Sequence, residues 1–312
     1  MQIQDHHVAD TGAPGATTFS AFRAWVMATR PHTLTIGINP VLVGCALAWR
    51  QIGHIDFAVM LMSMLGALLL QTGTNLDNDV SDFERGTDRA GRLGLPRATA
   101  LGLLTPRQVR TSSRGCFAVA TAIGLMLAWH GGWPIFFAGI ASAAAAMSYS
   151  GGPRPISYTP FGDFVVWLFF GLVAVSGTFY LQTFTLTPGV LIAATMVGLP
   201  ASAVLVVNNY RDLEPDRAVG KRTLAVCLGR AFSRWEYALL VLAPFALLAV
   251  LAIETRIGWT LAVPLIALPT AIRLIRRFCS DAPVPAFNPL LAQTARFQVM
   301  FSILLSLGIV LP

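Results

Sequence analysis

The sequence predicts an all-α polytopic membrane protein, a bundle of about nine transmembrane helices. Three observations carry this expectation. Of the 312 residues, 55% are hydrophobic and 12% charged, and the mean hydropathy is +0.64; a soluble domain needs more charge to cover its surface. Apolar runs of about 18–22 residues, long enough to cross a bilayer, recur along the chain. Loops rich in basic residues alternate with loops that nearly lack them.

Taken in order, residues 1–22 begin with a polar stretch containing Asp5, His6, His7 and Asp10. They lack the basic start and short apolar core of a signal peptide and read as a disordered cytoplasmic tail. A single transmembrane domain is expected over 23–312. Its spans fall at 33–50, 55–76, 113–130, 133–150, 161–182, 189–210, 235–254, 257–276 and 291–311. Glycine and proline recur inside them, as membrane helices tolerate.

Arg23 and Arg30 precede the first span, and only Arg50 follows it. Arg85, Arg89, Arg92, Arg97, Arg107, Arg110 and Arg114 lie between spans two and three. Arg154 follows span four. Arg211, Arg217, Lys221, Arg222, Arg230 and Arg234 follow span six, and Arg273, Arg276 and Arg277 follow span eight. The opposite side holds Arg50 and Arg256. The positive-inside rule therefore predicts a cytoplasmic N-terminus and a C-terminus on the far side. The formal net charge of +7 reads as a topology signal, or as attraction to anionic lipid or a diphosphate, and not as nucleic-acid binding.

Cys45, Cys116, Cys227 and Cys279 form no CxxC pair and no zinc spacing; three of the four fall in or beside apolar stretches, and they read as small buried hydrophobes. The two long cytoplasmic loops, 83–112 and 211–234, follow spans two and six, and long loops tend to carry function.

An acidic cluster stands where each of these two spans leaves the membrane. The first runs Asn75-Leu76-Asp77-Asn78-Asp79-Val80-Ser81-Asp82, then Asp88. Helical pitch places Asp79 and Asp82 on one face, and Asn75, Asn78 and Asp82 on one face. The second runs Asn208-Asn209-Tyr210-Arg211-Asp212-Leu213-Glu214-Pro215-Asp216. Asp212 and Asp216 stand four apart, although Pro215 favours a broken helix end. Such clusters can be solvated loop charges. Two of them on one side, each preceded by asparagine, fit Mg²⁺ held between carboxylates and substrate phosphates. A P-loop, a GxGxxG fold and an EF-hand pattern are absent from the sequence.

These motifs resemble the UbiA superfamily of intramembrane aromatic prenyltransferases, in which an Asn/Asp-rich motif follows helix 2 and a DxxxD motif follows helix 6. The superfamily's NxxxDxxxD falls on Asn78, Asp82 and Asp88, with a last gap of five residues where three is usual. Gly73-Thr74-Asn75, Tyr149-Ser150-Gly151-Gly152-Pro153, Gly220-Lys221-Arg222-Thr223-Leu224 and Asn288-Pro289-Leu290-Leu291 extend the likeness over nearly the whole chain after residue 25. They are most similar to the branch acting on 1,4-dihydroxy-2-naphthoate in the menaquinone pathway.

The resemblance implies a Mg²⁺-dependent transfer from a polyprenyl diphosphate to an aromatic acid at a bacterial-type cytoplasmic (inner) membrane, without nucleic acid. It implies Asp79, Asp82, Asp88, Asp212 and Asp216 as metal ligands, with Asp82 and Asp212 central to catalysis. Asn75, Asn78, Asn208 and Asn209 are expected to position phosphate or metal-bound water. Lys221, Arg97, Arg154 and Arg211 are expected to clamp the diphosphate. Tyr149 is read either as a ring facing the reacting carbons or as an interfacial anchor. Arg296, in the last span, is read as an acceptor-carboxylate ligand or as a snorkelling side chain. Other acceptors, 4-hydroxybenzoate or homogentisate among them, stay open, as does a transporter or lipid-binding protein.

Overall fold

The computed structural model describes residues 21–86, 94, 97–280 and 283–312, with His32 described by its backbone alone. Asp88 and residues 1–20 of the expected tail lie outside the described residues. Within the described residues the regular structure is helical throughout.

Short α1 (Ala21–Thr29) turns at Arg30, whose φ of 53° is left-handed, into α2 (Pro31–Ile52). Pro31 suits that first turn because its missing N–H has no intrahelical acceptor to lose. The Asp56 carboxylate caps α3 (Phe57–Glu84) by accepting from the N–H groups of Ala58 and Val59. A Thr105–Gln108 capping box starts α4 (Pro106–Gly131). Gly132, at φ 73°, makes the tight turn into α5 (Trp133–Ser150).

The next span is α6 (Gly162–Val166), a π-helical segment (Trp167–Val173) and α7 (Ala174–Thr183) in one unbroken run. Then come α8 (Pro188–Arg211), short α9 (Leu213–Ala218) and α10 (Leu224–Thr255), which kinks at Gly229. A 3₁₀ stretch (Trp259–Ala267) leads into α11 (Leu268–Cys279), and α12 (Phe287–Val310) closes the chain.

Eight helical segments among the described residues are long and apolar enough to cross a membrane. The ninth expected span is the 18-residue α5, whose alanine- and serine-rich second half is less apolar. At 1.5 Å per residue it still reaches roughly 27 Å, close to the hydrocarbon thickness. The protein is thus a polytopic helical membrane protein.

Two expected loops are shorter than the sequence suggested. α3 runs on to Glu84 and α4 begins at Pro106, and the first acidic cluster is helical, as its spacing was read. Much of 211–234 is α9 and the start of α10. The helix does break near Pro215, but at Asp212, and the Asp216 N–H still donates to the Asp212 carbonyl at 2.8 Å.

α8 is the central helix, packed by α10, α12 and the π segment. Ala194, Val197, Ala201 and Val204 of α8 join Val241, Phe297 and Phe301 in the main core. Gly171 and Gly198 allow backbone contact there. A Cβ on Gly198 would lie 2.7 Å from the Trp167 carbonyl oxygen and 2.9 Å from the Gly171 Cα.

Candidate active site

Helices α2 to α5, the π segment and α8 surround a cavity of about 670 Å³, within the range of small-molecule sites. Most of its wall is apolar. α5 contributes Gly139 and the run Ala143–Ala146, whose side chains are too short to fill the space. The π segment contributes Phe169, Phe170 and Val173; its wider turn is a departure often found at functional sites.

At one end the wall becomes polar. Asn75, Asn78 and Asp82 of α3 line it, with Arg30, Arg97, Tyr149, Asn208, Asn209, Arg211, Asp212, Asp216 and Lys221. The two acidic clusters therefore share one cavity. Lys221 joins them directly: its Nζ lies 3.2 Å from Asp216 Oδ1 and 4.0 Å from Asp82 Oδ1.

Each polar group is held from a different element. Asp82 Oδ2 accepts from Arg97 Nη2 at 2.5 Å, and Asn78 Oδ1 accepts from Arg97 Nη1 at 2.6 Å and Arg30 Nη2 at 2.9 Å. Asn78 Nδ2 donates to Ser150 Oγ at 2.8 Å. Asn75 Nδ2 donates to the Thr29 carbonyl and to Thr33 Oγ1. Burial lifts the Asp216 carboxyl above its ordinary value; Lys221 pulls it back and Asp212 adds to the rise. Its charged form therefore gains from any further cation.

Three of the residues singled out in the sequence, Asp79, Arg154 and Arg296, stand away from the cavity, and a fourth, Arg211, lines it with its donors engaged. Asp79 does not line the cavity; its carboxylate accepts from the N–H groups of Thr99 and Ala98, at 3.1 and 3.3 Å, and secures the segment that carries Arg97. Three residues along a helix turn about 300°, which leaves Asp79 and Asp82 about 60° apart, enough to send one to the loop and one to the cavity. Arg154 is exposed and not among the cavity residues. Arg211 lines the cavity mouth but gives Nε and Nη2 to the Asp212 carboxylate, at 2.8 and 2.6 Å, and its other donations to Asn208 and Asn288. Through Asn288 these contacts link α8 to α12. Arg296 lies apart from the cavity, on the outer face of α12.

Sequence reasoning passed over Arg30 and Tyr158 as site residues. In the sequence Arg30 was legible only as one of the basic residues that precede the first span. The Tyr158 ring lies 4.9 Å from Lys221 Nζ and 5.2 Å from the Arg85 guanidinium carbon, and its carbonyl accepts from the Arg222 N–H at 3.0 Å. It ties together the segments after α3, α5 and α9.

Among the described residues, no three His, Cys, Asp or Glu converge into a ready-made metal cage. Magnesium keeps waters and takes one or two carboxylates plus phosphate oxygens, and Asp82 and Asp216 supply donors of that type at the cavity mouth. One positive group, the Lys221 ammonium, already sits between Asp82 and Asp216, so the donor set fits a cation shared with a phosphorylated ligand.

The sequence profile of the UbiA prenyltransferase family matches residues 38–291. The 1,4-dihydroxy-2-naphthoate octaprenyltransferase of Escherichia coli is 34% identical over 304 residues, covering 94% of this chain and 96% of that protein. Its counterpart from Mycobacterium leprae is 36% identical over 91% of this chain and 95% of its own length. Among solved structures, a UbiA homologue from Aeropyrum pernix K1 aligns with a TM-score of 0.67 at 14% identity, over 89% of this chain and 96% of that one. A homologue from Archaeoglobus fulgidus, solved bound to GPP and Mg2+, aligns with a TM-score of 0.61 at 16% identity, over 91% of this chain and 99% of that one. At such identities the structures speak to the fold alone.

Proposed function

The chain belongs to the UbiA prenyltransferase family and is an aromatic prenyltransferase, and from that premise we propose that it transfers a polyprenyl group from a polyprenyl diphosphate to 1,4-dihydroxy-2-naphthoate. The product is of the demethylmenaquinone type. The observation that carries this reading is Lys221 set between Asp82 and Asp216 at the polar end of an otherwise apolar cavity. The bacterial relatives named as naphthoate octaprenyltransferases support the choice of acceptor.

In this reading the diphosphate occupies the polar end and the isoprenoid tail the apolar part. Lys221, Arg97 and Arg30 oppose the negative charge that grows on the diphosphate as the allylic carbon–oxygen bond breaks. Asp82 and Asp216 would hold magnesium, with Asp212 at the edge of the same mouth; bound there, the ion would supply Lewis-acid stabilisation of the leaving group. Asn78 and Asn208 face phosphate or bound water. Tyr149 presents its ring to the cationic allylic carbon. The walls of α5 and the π segment keep water from that carbon. The naphthoate ring carbon that bears the carboxylate bonds to it, and the carboxylate leaves as carbon dioxide, returning the electron pair of its carbon–carbon bond to the ring. The active site opens to the cytoplasmic face of a bacterial-type inner membrane.

A panel of aromatic acids offered to purified protein with one labelled polyprenyl diphosphate tests the acceptor. Mass spectrometry is expected to find a prenylated naphthalenediol lacking the carboxyl group. Prenylated 4-hydroxybenzoate as the main product would overturn the assignment.

A further inference from the structure

A second groove, about 490 Å³, opens between α11 and α12. Arg273, Arg276, Arg277 and Arg296 line it, with Phe297 and Met300 in its wall. Arg277 Nη1 donates to Gln293 Oε1 at 2.7 Å and ties the two helices together. Arg273 is steadied by the Pro269 carbonyl at 3.3 Å and Thr270 Oγ1 at 3.2 Å. None of these arginines forms an ion pair with a carboxylate among the described residues.

Arg296 is exposed within the span Val284–Val310. A guanidinium on a bilayer-facing helix is costly unless it meets an anion or reaches the interface. Met300, Ile303 and Leu307 continue the same face at four, seven and eleven residues beyond it. Ile303 is 44% exposed and Leu307 48%. The groove lies at the same end of the bundle as the cavity mouth, because Arg211 reaches Asn288 at the start of α12.

Charge that serves only to orient a chain needs no concave shape and no apolar stripe beneath it. Planar guanidiniums grouped above such a stripe match a phosphodiester with acyl chains attached. We infer that this groove binds the headgroup phosphate of an anionic membrane phospholipid, its acyl chains lying along the Met300–Ile303–Leu307 face. This inference is independent of the acceptor and of the metal.

The test compares delipidated wild-type protein with R276Q/R296Q and R107Q/R114Q. Arg107 and Arg114 are exposed near the start of α4, so their replacement removes the same charge away from the groove. Native mass spectrometry reads retention of phosphatidylglycerol against phosphatidylcholine, with inorganic phosphate as competitor. Wild type and R107Q/R114Q are expected to prefer phosphatidylglycerol, and R276Q/R296Q to bind it ~30-fold more weakly. Inorganic phosphate is expected not to displace it. Absence of a wild-type preference, equal retention by R276Q/R296Q, equal loss in both double variants, or displacement by inorganic phosphate would each overturn the proposal. If R276Q/R296Q does not fold, R296Q alone is scored in the same way.

Discussion

Lys221 is the chain's only lysine, and it stands between carboxylates from two distant segments. Lys221→Met keeps the aliphatic stem and removes the charge. We expect kcat/KM to fall ~100-fold or more, as when one charge-stabilising donor is removed, while size-exclusion profiles stay unchanged. Asp79 offers a contrast within the same motif. Asp79→Ala leaves the N–H groups of Ala98 and Thr99 without their acceptor, at ~1–3 kcal/mol for each buried group. A lower melting temperature is the expected result, with residual turnover keeping the wild-type magnesium dependence. A changed magnesium dependence would return Asp79 to the metal site. Residue types and spacing singled out this motif, but helical pitch read along one helix could not say which carboxylate faces the cavity. That depended on where the segment carrying Arg97 packs.

Helix ends and crossings decide the shape of the cavity. The sequence marked nine apolar runs, and each became a helix because a membrane-spanning backbone must satisfy its own hydrogen bonds. The π-helical turn at Trp167–Val173 was not legible, since its residues are ordinary apolar ones. It exists where α8 comes close enough for Gly171 to touch Gly198. Gly198→Val puts a branched side chain into that contact. Overpacking of this kind costs ~1–3 kcal/mol, so a lower melting temperature is expected, together with weaker binding of the polyprenyl diphosphate as Phe169 and Phe170 shift. Unchanged melting would mean that the crossing yields without strain.

Across the whole molecule, the arginine distribution supports the proposed orientation. Against the expectation that the cysteines are buried, Cys227 and Cys279 are exposed, near the start of α10 and at the end of α11, at the bundle end that carries the acidic clusters. Cys45 is buried. A membrane-impermeant maleimide is expected to label inside-out vesicles and spare right-side-out ones, and C227S/C279S is expected to abolish most of the signal. Labelling from the outside would reverse the proposed topology.

Hydropathy, arginine asymmetry and the two acidic motifs were enough to establish a helical membrane protein and to single out the clusters that hold Asp79, Asp82, Asp212 and Asp216, while Arg97 and Lys221 came in through the family resemblance. Those signals are local, because bilayer thickness sets span length and charge sets which loops stay behind. The meeting of Lys221 with both carboxylates, the turning of Asp79 toward a loop, the engagement of the Arg211 donors and the entry of Arg30 and Tyr158 came only with the tertiary structure. Each depends on how helices far apart in the chain cross, and no single segment encodes that.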